Sequence, residues 1–218
     1  MRLTVVGASG GIGRQVLAQA VGAGHDVTAV VRRADAVTAP VRVVVADLAT
    51  ASPGDVVPAV HGADAVISGL GPRGRDDLGV VSRGTATLAA AMTETGARRL
   101  VTVSAAPVGG MPGSGGPGAD PGDDALTRLV LAPLLRRILR GPYADLAAME
   151  SILRVGDLDW TVVRPPRLTR GPLTAGYRVA LDRNVPSGRS VSRADVAHLL
   201  LGVLHRPETI GHTVGVAT

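Results

Sequence analysis

The chain alternates short runs of β-branched and other apolar residues with longer stretches of helical periodicity. Leu3, Thr4, Val5 and Val6 form the first run, and Val16, Leu17 and Ala20 behind it make one stripe of a helix. Asp26 to Val31 (DVTAVV) and Val41 to Val45 predict the second and third strands. A short helix is expected over Val56 to His61 and a fourth strand over Ala63 to Ser68. A long helix follows over Leu78 to Thr95, which Gly96 ends as a C-cap. Arg99 to Val103, Trp160 to Val163 and His212 to Val216 complete the predicted strands. Strand and helix in alternation favour a parallel sheet covered on both faces, so the expected fold is α/β and doubly wound, in a single domain over residues 1–218.

Two segments break this alternation. Residues 106–122 are rich in glycine and proline and read as a mobile loop. Helices are expected after it, at Asp123 to Arg140 with an interruption at Pro133, and at Tyr143 to Val155 with Pro142 just ahead. Pro165 to Ser190 reads as irregular and leads to a helix at Ala194 to Leu204, with Ser192 as its N-cap and Asp195 three residues on. Both irregular segments leave from the carboxyl ends of strands, where open α/β sheets bind ligands. Residues 105–142 and 165–190, a small region of loops and helices, are therefore the expected walls of a substrate site.

The first strand breaks into Gly7-Ala8-Ser9-Gly10-Gly11-Ile12-Gly13, and a helix follows at once. Strand, glycine turn and helix in this order make a dinucleotide-binding βα unit. Gly7 lets the chain turn sharply, Gly10 lets backbone approach a diphosphate, and Gly13 lets the helix pack close. The helix N-terminus then offers free N–H groups and the positive end of its dipole.

An NAD site of this kind usually ends its second strand with a carboxylate for the ribose 2′-hydroxyl. Here the strand ends in Arg32 and Arg33. A guanidinium grips a 2′-phosphate that a carboxylate would repel, so NADP (NADPH) is the expected cofactor; the other reading is that both arginines simply face solvent. Asp47 can receive the adenine amino group, with Leu48 against the ring, or it can cap the next turn. Gly69, Leu70 and Gly71 again let backbone lie near the dinucleotide, and Arg73 can add charge near a phosphate.

Composition narrows the chemistry. All 23 basic residues are arginine, so there is no lysine for a Schiff base or a phosphate loop, and no cysteine for a disulfide or thiolate site. The five histidines show no metal-ligand grouping, and no metal is expected; His198 and His205 read as surface or interface residues. The net charge of +5 invites nucleic acid, but the arginines are scattered and stacking aromatics are nearly absent, so none is expected as a partner. The basic stretch Leu134 to Arg140 reads as a solvated helix face or the edge of a lid. No apolar run reaches membrane length, and the first residues read as a buried strand rather than a signal peptide. A cytoplasmic protein with a small-molecule substrate and no membrane partner is expected, as a monomer or weak dimer.

GASGGIG at the start, VVRR after the second strand, ADL after the third and SGLGPR after the fourth resemble the atypical short-chain dehydrogenases/reductases. VTVSAA at the fifth strand and LDWTVVRPPRLT at the sixth do so too, and the similarity covers nearly the whole chain. It is greatest to the flavin reductase/biliverdin-IXβ reductase type, with NmrA-like NADP-binding proteins nearby; the stretch GPLTAGYRVALDRNVPSGRSVSRADVAHLL is also similar to that type. The resemblance implies a Rossmann domain that uses NADPH to reduce a planar substrate such as a flavin, a quinone or a linear tetrapyrrole. It further implies that Gly7 to Gly13, Arg32, Asp47, Leu48, Gly71, Arg73 and Ser104 line the cofactor. Pro165, Pro166, Arg167 and Leu168 would flank the nicotinamide. Two departures affect the substrate: Arg167 stands where that type tends to carry histidine, and the loop after Ser104 is longer.

The Tyr-x-x-x-Lys pair of other short-chain dehydrogenases is missing, since Tyr143 is followed four residues later by Ala147. An unaided phenol with a pKa of about 10 is a poor proton shuttle, and Tyr143 reads first as a packing residue. Hydride transfer to a flavin or quinone can take its proton from solvent. Arg167 is then expected to stabilise negative charge on the reduced ring. Ser104 is expected either to hydrogen-bond nicotinamide or substrate or to be tied to backbone. Two other functions fit the same residues: a non-catalytic NADP(H) sensor of the NmrA type, and an isomerase or dehydratase on the same fold.

Overall fold

The apolar runs assemble around β1 (Arg2–Val6), whose last four residues are buried. In the computed structural model, which describes the chain apart from residues 73, 75, 76, 112–119 and 124, β1 pairs in parallel with β2 (Asp26–Val31) on one side. β3 (Arg42–Val45) continues beyond β2, and β4 (Ala65–Ser68) lies on the other side of β1. β5 (Arg99–Val103), β6 (Asp159–Arg164) and, last in the chain, β10 (His212–Ala217) extend the sheet in parallel. β8 (Arg178–Leu181) closes the edge antiparallel to β10, making eight strands in the order β3-β2-β1-β4-β5-β6-β10-β8.

Successive side chains of each strand enter opposite cores. Val27, Ala29 and Val31 of β2, with Val101 and Val103 of β5, pack beneath α1 (Gly11–Gly22) and α6 (Arg193–Gly202). Val30 and Leu100 face the other way, toward α2 (Pro53–Val60), α3 (Val80–Thr95) and α5 (Arg140–Val155). The stripe Val16, Leu17 and Ala20 is buried as its spacing requires, and Gly96 ends α3 with φ of 78°.

Several boundaries differ from the sequence expectation. α2 begins at Pro53 rather than Val56, because Ser52 and Asp55 form a reciprocal capping box and Pro53 suits the first turn. Ahead of α4 (Ala132–Ile138) the helix widens into a π turn over Thr127–Leu131. Pro133 has no N–H for the carbonyl one turn back, which suits such a widening. α5 starts at Arg140 and takes Pro142 into its first turn. The stretch expected to be irregular holds three strands: β7 (Arg167–Thr169), β8 and β9 (Ser190–Ser192). Among the described residues β7 and β9 pair only with each other, across a long separation in sequence, and β8 is a largely exposed edge. Neither arrangement leaves the alternation by which a strand is recognised. Of the expected loop 106–122, Ala106–Gly110 forms a 3-10 turn, and most of the remainder lies outside the described residues.

Ser192 caps α6 as expected, accepting the Asp195 N–H at 2.9 Å. Burial opposes ionisation of Asp195, yet donation by Thr174, Ser192 and Ala175 outweighs it and holds the carboxyl below the ordinary range. These bonds fasten the segment after β7 to α6. β1 lies between β2 and β4, and the crevice beyond its carboxyl end is where this topology receives a ligand.

Candidate active site

Gly7 takes φ of +70° and donates its N–H to the Val30 carbonyl at 3.1 Å, so the turn is anchored on β2. The turn encloses no room for side chains: a Cβ on Gly10 would lie 3.1 Å from the Gly7 oxygen. On Gly13 it would lie 2.1 Å from that same oxygen. The result is a bare main-chain surface at the start of α1.

That surface forms one wall of a cleft of about 360 Å³. Gly7, Ser9, Gly10, Gly11 and Ile12 line it from the turn, and Arg32, Asp47 and Leu48 from the ends of β2 and β3. Gly69, Leu70 and Gly71 line it after β4, Ser104 after β5 and Leu168 from β7. Residues far apart in the chain are thus brought to one crevice.

Other expected site residues stand elsewhere. Ala8 and Gly13 are buried in the turn and support it, Ala8 also bordering a neighbouring groove. Arg33 is exposed and donates twice to Asp35, at 3.1 Å each, beside that groove and outside the cleft. Arg73 lies outside the described residues. Pro165, Pro166 and Arg167 line an adjoining cavity instead of the cleft.

The polar groups of the cleft differ in how far they are engaged. Arg32 borders both the cleft and the groove, and its Nη1 lies 3.5 Å from Asp77 Oδ1. Asp47 accepts the Ala49 N–H at 3.1 Å, so it does cap its turn while lining the cleft. Ser104 donates its N–H to the Val163 carbonyl, but its Oγ is buried and has no hydrogen-bond partner. The alternative of a hydroxyl tied to backbone is therefore not realised. A buried hydroxyl left alone costs about 1–3 kcal/mol, and a ligand in the cleft can remove that cost.

Arg193 was not singled out from the sequence, where it is simply the first residue after the α6 cap. The fold lays its side chain along Gly11: a Cβ there would meet Nε at 2.8 Å. Arg193 Nη1 is steadied by the Thr169 carbonyl at 3.0 Å. A fixed guanidinium thus joins the free N–H groups and dipole of α1 in one positive corner of the cleft. Bare amides, that cation and the unpartnered Ser104 hydroxyl fit the diphosphate and amide groups of a dinucleotide.

The adjoining cavity of about 450 Å³ shares the chain on either side: Ala105 follows Ser104 into it, and Pro166 and Arg167 precede Leu168. Its apolar lining includes Ala132, Leu135 and Leu139, so the basic amphipathic segment borders it. Tyr143 packs against Val108 and Ala147 and also lines the cavity. Burial raises its pKa, which keeps the phenol a neutral hydrogen-bond donor.

Beneath this cavity lies an ion pair that the sequence did not disclose. Arg164, at the end of β6, grips Glu150 of α5 with two bonds, Nε to Oε1 at 3.0 Å and Nη2 to Oε2. Arg154 Nη2 reaches the same Oε2 at 3.1 Å. Glu150 is wholly buried, and the pair holds the strand end that leads into Pro165 and Pro166. Among the described residues, no group of three or more His, Asp or Glu side chains is arranged to hold a metal ion, and no helix is long and apolar enough to cross a membrane.

Residues 7–207 match the model of a family described as NAD(P)H-binding. Uncharacterized protein Rv2047c of Mycobacterium tuberculosis is 38% identical over 105 residues, which make up 48% of this chain and only 12% of that protein. The oxidoreductase ylbE of Lactococcus lactis superposes with a TM-score of 0.81 at 21% identity, over 100% of this chain and 91% of that one. A wide-type short-chain dehydrogenase/reductase of Veillonella parvula, solved with NADP, gives 0.78 at 18% identity, over 100% and 94%. These two show the shared fold. A Streptococcus pneumoniae protein assigned as an NADH-flavin reductase gives 0.77 at 25% identity, over 100% and 99%. By its matched residues, the chain belongs to the NAD(P)H-binding family.

Proposed function

We propose that the protein is an NADPH-dependent reductase that acts on a planar aromatic or quinonoid small molecule. The observation that carries this reading is the buried, unpartnered Ser104 hydroxyl, which stands where the dinucleotide cleft meets a largely apolar cavity. The turn from Gly7 to Gly13 and Arg193 would hold the diphosphate, and Asp47 with Leu48 the adenine. Ser104 and Leu168 would hold the nicotinamide end. Bound NADPH supplies the hydride. Ser104 orients the reacting groups, Tyr143 offers a neutral donor, and the Arg167 charge at the rim opposes that of a reduced, anionic ring. The proton comes from solvent, which suits a chain without lysine.

Steady oxidation of NADPH in the presence of flavins or quinones tests the proposal. Ser104→Ala is expected to lower kcat about two- to tenfold, the worth of one hydrogen bond, while Arg167→Ala raises KM. Tight NADPH binding with no acceptor reduced would overturn the reductase reading in favour of a sensor.

Arg32 is proposed to select NADPH over NADH. The contact with Asp77 is long, at 3.5 Å, and partly open to solvent, so a 2′-phosphate can displace it. Arg32→Ala is expected to weaken NADPH binding roughly ten- to hundredfold and NADH binding hardly at all. Calorimetric titration with both nucleotides reads this, and equal affinities in the parent protein would refute it.

A further inference from the structure

Among the described polar side chains of the adjoining cavity, Asn184 is the one whose bonding is both tight and incomplete. Its N–H donates to Asp120 Oδ1 at 2.7 Å, and the same oxygen accepts the Gly122 N–H at 2.8 Å. A Cβ on Gly122 would fall 1.8 Å from the Asn184 carbonyl oxygen, so the two backbones are in direct contact and leave Asn184 no slack. The carboxamide nitrogen donates to the Ala106 carbonyl at 3.2 Å and to Asp123 Oδ1 at 2.8 Å. Both partners can only accept, which fixes which end of the amide is nitrogen and which is oxygen. Oδ1 is then the atom left over: it is buried, and it has no partner. Buried acceptors of this kind are rare, and each calls for a donor.

We infer that Asn184 is a specificity-determining residue, whose carboxamide oxygen receives an N–H or O–H on the edge of the bound substrate. The inference rests on the reading of this cavity as the substrate site. It narrows the substrate to planar molecules that carry a lactam or imide N–H, or a phenolic O–H, on an otherwise apolar frame. Leu135, Leu139 and Val185 offer that frame its contact surface. A molecule of the same shape that presents a lone pair at this position meets Oδ1 with repulsion instead of a bond, and is excluded.

Two probes of almost identical shape separate these cases: 2-quinolone carries a ring N–H, and coumarin carries a ring oxygen in its place. In ligand-observed NMR titrations without nucleotide, the parent protein is expected to bind 2-quinolone roughly tenfold more tightly than coumarin, the worth of one buried hydrogen bond. Asn184→Ala is expected to bring the two affinities within about twofold. A crystal structure with 2-quinolone reads the same contact without any variant, should Asn184→Ala fail to fold; its ring nitrogen is expected within hydrogen-bond distance of Oδ1. Equal affinities in the parent protein, no binding of either probe, or a preference that survives in Asn184→Ala would overturn the inference. Because no nucleotide is present, the preference can hold even if NADPH oxidation is never observed. Failure of the reductase reading is thereby told apart from failure of this one.

Discussion

Gly13→Ala is expected to abolish measurable binding of NADPH and NADH alike, a loss of at least about a hundredfold in affinity. The new Cβ would stand 2.1 Å from the Gly7 oxygen, 2.8 Å from its carbonyl carbon and 2.9 Å from the Ala8 Cα, all of them backbone atoms. Gly7 cannot retreat. Its N–H is bonded to Val30, and the space on its far side ends at the Gly69 carbonyl, 3.0 Å from where a Cβ would stand. The turn must therefore open, and the amides that face the cleft change direction together. Gly22→Ala, at the other end of the same helix, meets nothing within 4 Å and is expected to leave binding unchanged. Calorimetric titration of both variants checks the pair; retained binding in Gly13→Ala would show that the cleft does not hold the diphosphate.

Glu150→Ala is expected to destabilise the protein by about 3–5 kcal/mol, because it removes one side of a buried, hydrogen-bonded ion pair. Arg164 is 3% exposed and loses both of its bonds to this carboxylate, and Arg154 loses its bond to the same group. For a domain of this size the loss corresponds to a fall in Tm of roughly 10 °C. Glu150→Gln keeps an acceptor for one guanidinium N–H and is expected to fall between the two. Thermal unfolding followed by circular dichroism measures all three proteins. A midpoint unchanged in Glu150→Ala would mean that the pair contributes no net stability. Since Arg164 leads into Pro165 and Arg167, the same variant is also expected to lose the shape of the adjoining cavity.

How legible the site was in the sequence depended on the distance between interacting residues. The glycine turn could be read because its own spacing, from Gly7 to Gly13 and into the helix that follows, is local, although its anchors at Val30 and Gly69 are not. Ser192 with Asp195 was legible as a cap for the same reason. Leu48, Gly69, Leu70 and Ser104 line the cleft because each follows the end of a strand, and strand ends share one edge of a parallel sheet. Arg33 shows the limit. It stands beside Arg32 with the same chemistry, yet it borders only the neighbouring groove, where it meets Asp35. Arg193 and Asn184 gave no signal at all, since their partners, Gly11 in one case and Asp120, Asp123 and Ala106 in the other, are remote in the chain.

Hydrophobic spacing and turn chemistry are local properties, and they alone determined the strand and helix alternation, the doubly wound sheet and the main-chain cradle after β1. Tertiary packing decided the remainder. Only in the folded chain does Arg193 reach the start of α1, the ribbon of β7 and β9 form, Glu150 become enclosed with Arg164, and the Asn184 amide run out of donors. Hydrogen bonds and ion pairs act over a few ångströms of space, whatever the number of residues between the partners, and no periodicity along the chain encodes that distance.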